Sequence, residues 1–405
     1  MIKIHNQGHS ANSLLFAFSR LLERAAYYGF RALIVLYMIS ETINLSNTKA
    51  ISVYGMIATG ILFSSVLGGL LGDLIKQNKL VAVIGGVIQA LGVLVLCFQS
   101  ELSLYIGIAI LVLGNGLFSP NVIALFGKSY LEKPKLLDAG FNIFYLAINV
   151  GAMIGTIVIA LVGENHGWNY GFILAALFSL MSLVPLWFAM TYERFNDVKV
   201  PGNLGIRFLV IIGISLLIGL FWNIFEMSGM RMFQVQQSLS EITTLNLPTS
   251  FWSSINSIFI LPLGIILIII WSLYYNSPFI KVGLGFIFAA LAYTMLFTIP
   301  DSPGPEHLIF YFIFMFFITL AELLVSPTIL AIVTKYSNPK YLAIIISIVY
   351  FPMRGLMWVT GFFTDALIDN PEVPLISGIV VSGVVGLFVL GGLFIIKNQF
   401  RKSTI

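Results

Sequence analysis

Residues 19–31 read SRLLERAAYYGFR, and the reading of the chain turns on where this stretch lies. It sits between apolar Leu14–Phe18 and the run Ala32–Met38, so it falls inside the first membrane-spanning helix. Arg20, Glu23, Arg24 and Arg31 bring charge into that helix. Each charge costs about 2.5–3.5 kcal/mol at the bilayer centre unless it meets water or a partner. On a helix, Arg20, Glu23, Tyr27 and Arg31 share one face, and Arg24 and Tyr28 border it. A charged, tyrosine-bearing stripe at that depth needs an aqueous cavity. It predicts a polar translocation site. The competing reading is a structural ion-pair knot or a re-entrant segment.

The rest of the composition agrees. The chain has 405 residues, 59% hydrophobic and 9% charged, with a mean hydropathy of +0.98. That balance excludes a soluble domain and predicts an all-α polytopic membrane protein of roughly twelve helices at about 20 residues per span. Cys97 is the single cysteine, which excludes disulfides and cysteine metal clusters. His5, His9, His166 and His307 fall in the N-terminal segment or in loops, so none serves as a proton relay at mid-membrane. There is no Walker-type phosphate loop, no HExxH and no nucleophile elbow, so neither an ATP motor nor an enzyme is expected, and no cofactor or metal. The net charge of +4 is scattered over helix ends and does not suggest nucleic acid. The first apolar segment is too long and too charged for a cleaved signal, so it is expected to remain as a helix.

Spans are expected at 13–40, 49–72, 80–98, 103–127, 138–162, 168–191, 206–232, 249–273, 280–299, 308–333, 341–366 and 374–396. The longest polar connections are Gly127–Asp138, Tyr192–Gly205 and Phe233–Pro248. With the N-terminus in the cytoplasm, every basic residue outside the spans except Lys49 falls on the cytoplasmic side. This predicts an even helix count with both termini inside. The expected organisation is an N-terminal six-helix bundle at 1–191, a cytoplasmic linker at 192–205 and a C-terminal six-helix bundle at 206–405. That is the pattern of the major facilitator fold, with the substrate site at the interface of the halves near the midplane.

Between the second and third spans, Gly68-Gly69-Leu70-Leu71-Gly72-Asp73 leads into Lys76 and Lys79. The spacing resembles the major facilitator gating loop, in which the acid braces one gate in one state only. Asp73 is therefore a gate candidate. Pro120, Pro262, Pro327 and Pro352 interrupt spans, as expected of helices that kink. Glu23, Glu226 and Glu322 are acids inside spans. A buried carboxylate that loses an arginine partner during a conformational change takes up a proton, which favours a proton-driven carrier over a channel. Asn149, Asn223, Ser254, Asn256, Ser326, Arg231 and Arg354 extend the intramembrane polar set.

Several of these stretches resemble the signatures of one family. Residues 23–31, ERAAYYGFR, resemble the helix-1 core of the proton-dependent oligopeptide transporters, a family of the major facilitator superfamily. Gly116–Asn121 (GLFSPN) and Phe144–Ala152 (FYLAINVGA) resemble its helix-4 and helix-5 motifs. Trp222 and Glu226 match its helix-7 pattern, Asn256 its helix-8 asparagine, and Glu322, Ser326 and Pro327 its helix-10 pattern. The resemblance implies that Arg24, Tyr27, Tyr28, Arg31 and Asn149 line one half of a peptide site. Trp222, Asn256, Glu322 and Ser326 would line the other, with Glu322 receiving the peptide amino group. It also implies an Arg31–Glu226 bridge as the extracellular gate, and proton coupling through Glu23, Glu226 and Glu322.

The departures are coherent. Where the family has a first helix-1 acid, this chain has Arg20, and where it has a helix-4 lysine, this chain has Ser119. A helix-2 tyrosine of the site corresponds to Leu62, a helix-11 tryptophan has no counterpart near Val349–Phe351, and Arg354 adds a cation. Either Arg20 takes over the lysine's role toward Glu23, or it faces the substrate. The expected function is a proton-coupled symporter that imports peptides or peptide-like compounds by alternating access, working as a monomer in the bacterial inner membrane. The alternative is a carrier, importing or exporting, of a non-peptide organic anion such as a polycarboxylate or a carboxylate-type metal chelate. The arginine surplus, with Arg20 and Arg354 as selectivity residues, favours it.

Overall fold

The structure is a computed structural model. It describes residues 2–3, 8–191, 200–242, 249–363, 366–367 and 370–402. His5, Arg194, Lys199 and most of the expected linker lie outside these residues.

Almost everything described is helix. The membrane-length segments are α1 (Ala11–Ile39), α2 (Asn47–Ile75), α3 (Asn78–Phe98), α4 (Glu101–Lys128), α5 (Leu137–His166) and α6 (Trp168–Phe188). They continue with α7 (Leu204–Ile242), α8 (Thr249–Leu273), α9 (Pro278–Phe297), α10 (Pro305–Tyr336), α11 (Pro339–Gly361) and α12 (Glu372–Lys402). Eleven of these carry a long window of low charge and high hydropathy, and α1 is the exception because of its own four charges. Its 29 residues rise about 44 Å at 1.5 Å each, ample for a bilayer. A two-residue antiparallel pairing of Ile2–Lys3 with Tyr274–Tyr275 is the one strand pairing among the described residues.

The ends are set by local chemistry. Ser10, Ser46 and Ser100 cap α1, α2 and α4, each accepting from a backbone N–H three residues on. These caps start each helix about two residues before the expected span, because helix continues past the apolar stretch. The largest correction is α7, which runs to Ile242 where the expected span ends at 232. The stretch from Phe233 is polar but rich in glutamine, a good helix former, and Gln236 donates to the Tyr311 hydroxyl at 2.9 Å. His166, expected in a loop, is the last residue of α5. Among the prolines, Pro120, Pro262 and Pro327 lie within continuous helices. Pro352 follows the interruption of α11 at Tyr350.

Contacts divide the chain into two compact units. One comprises Asn6–Arg207 with Val333–Val349, the other Met1–His5, Phe208–Ile332 and Tyr350–Ile405. In the first unit α3 lies along α4, α1 along α5 and α6, and the first half of α11 packs on α2. In the second, α9 lies along α12. The α1–α5 seam depends on glycine. A Cβ on Gly151 would overlap the Leu21 carbonyl, and one on Gly155 the Ala25 carbonyl, so the two backbones touch. At Gly155–Ile159 the α5 ladder widens into a π-turn.

Just before α1 the chain is fastened to the α4–α5 connection. His9 Nδ1 lies 2.8 Å from the Tyr130 hydroxyl, and Lys133 Nζ donates to the Gly8 carbonyl at 2.8 Å. Burial, helped by the Lys133 charge, holds the His9 imidazole below its ordinary range. Burial pushes the Tyr130 phenol up to about 12.

Candidate functional site: a polar face on the first helix

The charged stripe of α1 folds inward. Glu23 is fully buried, at 0% exposure, and Arg20 and Arg24 are buried beside it. Arg20 Nη1 donates to Glu23 Oε2 at 2.9 Å. Arg24 grips the same carboxylate with both arms of its fork, Nε to Oε2 at 2.8 Å and Nη2 to Oε1 at 2.6 Å. Asn115 on α4 donates to Oε1 at 2.9 Å, and Gln89 on α3 at 3.3 Å. Glu23 thus receives donors from three helices and acts as the anion that allows two guanidinium groups to be buried. Of the two roles open to Arg20, the observed contact is the partnership with Glu23. Its guanidinium also lies 6.0 Å from the Phe144 ring centroid.

One and two turns further along α1 the face becomes aromatic. The Arg24 guanidinium lies 4.5 Å from the Tyr27 ring centroid and 5.8 Å from that of Tyr28. Arg31 is half-buried, and its Nε donates to the Tyr54 hydroxyl on α2 at 2.7 Å. Arg24, Tyr27, Tyr28 and Arg31 therefore stand together. Asn149 on α5 is half-buried, and its amide donates to the Tyr145 carbonyl at 2.9 Å within its own helix.

At one end of the same unit Asp73 is buried. It accepts from the Asn78 amide at 3.1 Å and, through its other oxygen, from the Ile344 backbone N–H at 2.9 Å. Lys128, expected just past the fourth span, is instead the buried last residue of α4. It donates to Asn78 Oδ1 at 2.6 Å and sits 4.0 Å from Asp73. Asp73 thereby ties α2 to the start of α11.

The second unit carries the other expected residues. Glu322 on α10 is buried, and Asn256 on α8 donates to it at 3.3 Å and to Thr319 at 3.1 Å. Ser326, one turn on, is buried, and its hydroxyl has no partner among the described residues. Trp222 is half-buried, edge-on to Phe221 and Phe225, while Glu226 is exposed. Asn223 is buried and accepts from Thr360 at 3.1 Å. Arg354 is exposed and makes no ion pair among the described residues. Arg231 must be removed from the open polar set. It donates to Asp301 at 2.6 Å and to the Ile299 carbonyl at 2.6 Å, so a carboxylate outside the expected spans neutralises it.

Three contributors escaped sequence reasoning. Tyr54, about two turns before Leu62 on α2, is the tyrosine that meets Arg31. Gln89 and Asn115 are amides inside strongly apolar helices, and that isolation is the signal that could have found them.

Known proteins resemble this chain in fold and in part of its sequence. A family model described as the POT family matches residues 79–216. The uncharacterized transporter YclF of Bacillus subtilis (strain 168) is 27% identical over 219 residues, which cover 52% of this chain and 44% of that relative. The di-/tripeptide transporter of Lactococcus lactis subsp. cremoris is 23% identical, with 94% of this chain and 93% of its own covered. A crystal structure of a peptide transporter POT in complex with sulfate superposes with a TM-score of 0.66 at 21% identity, covering 96% of both chains. The protein is thus a multi-pass membrane protein with the twelve-helix major facilitator fold. Residues 79–216 are similar to the POT family, and these relatives are named as transporters.

Proposed function

We propose that this chain is a proton-coupled symporter that imports peptides or peptide-like compounds by alternating access. The observation that carries the reading is the cluster of Arg24, Tyr27, Tyr28 and Arg31 on one face of α1. Guanidinium groups flanked by tyrosines suit a peptide carboxylate, and the buried carboxylate of Glu322 with Asn256 suits a peptide amino group. The similarity to a di-/tripeptide transporter over nearly the whole chain supports the same reading. In this scheme the six-helix halves at 1–191 and 206–405 rock about the substrate, both termini face the cytoplasm of a bacterial inner membrane, and the monomer is the working unit. Arg31 and Glu226 close the outer gate and Asp73 the inner one. Glu23, Glu226 and Glu322 carry the coupling, and Glu23 enters it from a state in which it holds two arginines.

The test is uptake of a labelled neutral dipeptide into proteoliposomes under an inward proton gradient, with unlabelled acidic peptides and polycarboxylates as competitors. Accumulation that a protonophore stops supports peptide symport. A folded protein that moves a polycarboxylate but not the dipeptide overturns it in favour of an organic-anion carrier. One observation favours that second reading: Arg354 remains an exposed cation without a carboxylate partner among the described residues. The pairing of Arg20 with Glu23 and of Arg231 with Asp301 weakens it.

A further inference from the structure

A second polar concavity in the first unit is separate from the α1 face. It has a volume of about 710 Å3 and is lined by the end of α2, the start of α3, the end of α4 and the residues around Trp187 and Lys340. Lys76, Lys79, Lys128 and Lys340 line it, and Asp73 is the acid among the described lining residues. Two of these ammonium groups are held in place. Lys79 donates to the carbonyls of Trp187 and Ala189 at 2.6 and 2.8 Å, and Lys128 donates to Asn78 at 2.6 Å. Carbonyl and amide oxygens orient an ammonium group but do not cancel its charge, so the lining keeps a surplus of positive charge. Lys76 is fixed differently, as the left-handed residue (φ 60°) that ends α2. Lys76 and Lys340 are both exposed.

Like charges gathered in a concave, partly enclosed space repel one another and concentrate anions. The rim adds a second chemistry. Ile75, Leu80 and Trp187 are exposed beside the lysines, Trp187 at 70%. Tryptophan and exposed aliphatic residues next to lysine mark the headgroup level of a bilayer.

We propose that this cavity binds a phosphate-bearing anion, supplied either by the headgroup of an anionic phospholipid or as free inorganic phosphate. The apolar rim favours the lipid, whose acyl chains would lie against Ile75 and Leu80 while its phosphodiester sits among Lys76, Lys128 and Lys340. The site is also placed to influence the fold locally. Lys128 and Asp73 line it, and Asp73 holds the Ile344 N–H, so an anion here changes the charge beside the contact that fastens residues 333–349 to α2.

The experiment uses the full chain in a neutral detergent. The thermal midpoint and native mass spectra are followed while phosphatidylglycerol, phosphatidylcholine or inorganic phosphate is titrated at constant ionic strength. Phosphatidylglycerol is expected to stay bound and raise the midpoint, and phosphatidylcholine to do neither. The variant K76Q/K340Q alters two exposed side chains and should melt like the parent in lipid-free detergent. It should bind phosphatidylglycerol about 25-fold more weakly, at roughly fivefold per lysine. If inorganic phosphate saturates the site and phosphatidylglycerol gains nothing over it, the anion site stands and its ligand is free phosphate. Equal binding of the two lipids by the parent chain overturns the proposal without recourse to any variant. Unchanged phosphatidylglycerol affinity in folded K76Q/K340Q overturns it as well.

Discussion

Glu23 and Glu226 are the same side chain in membrane-spanning helices, in opposite surroundings. Glu23 is enclosed by two arginines, an asparagine and a glutamine drawn from three helices. Glu226 is exposed and forms no ion pair among the described residues. Removing the first would strand two buried guanidinium groups. The second has little to lose structurally. Glu322 stands between them, buried but met by an amide. The lesson is that intramembrane acids differ in structural weight, and the number and charge of their donors set it.

The largest expected effect tests the enclosed acid. Glu23→Ala should cost about 3–5 kcal/mol, enough to prevent recovery of folded protein, whereas Glu226→Ala should leave the midpoint nearly unchanged. Size-exclusion profiles and thermal midpoints in detergent measure both. Equal losses for the two would erase the contrast. Next in size is the transport effect. Glu226→Gln and Glu322→Gln should lower gradient-driven accumulation at least tenfold while exchange at equal pH continues. If both variants concentrate substrate normally, the coupling scheme is wrong.

A smaller effect sharpens the account of Arg20. Arg20→Gln removes a hydrogen bond to a charged carboxylate and should cost about 1.5–3 kcal/mol. Arg20→Glu should be worse, and adding Ser119→Lys should recover part of the loss by restoring a cation from α4. No recovery would mean that α4 does not reach Glu23 at that position.

The smallest effect lies outside the membrane. The folded state lowers the His9 pKa, so the unfolded chain binds the proton more tightly. Stability is then full above the unfolded value of about 6.5 and falls as pH drops from there toward the lowered folded value. The midpoint of the parent chain should decline slightly between pH 7 and 5, and His9→Gln should flatten that slope. An unchanged slope would assign the dependence to other groups.

Much of this was legible in the residues. Charges spaced along one helical face announced the inward stripe of α1, and apolar length announced the helices. The ends of α1, α2 and α4 were displaced by serine caps, which hydropathy does not register. The donors to Glu23 were less visible. Arg20 could be named but its direction could not, because a long side chain on a helix border can turn either way. Gln89 and Asn115 reach Glu23 only through the packing of α3 and α4 on α1, a tertiary fact that no local pattern encodes. Arg231 misled for the same reason, since its partner Asp301 lies 70 positions away beyond the end of α9.

The glycine seam of α1 and α5 has a mechanical consequence. With Gly151 and Gly155 letting one backbone lie directly on the other, neither helix can slide or roll without collision. The two behave as a single jaw of a caliper. The gap between the Arg24 guanidinium and the Asn149 amide is then set when the protein folds and does not adjust to what enters. In the proposed transporter, a bulky guest would have to be accommodated elsewhere, with this jaw as the fixed gauge.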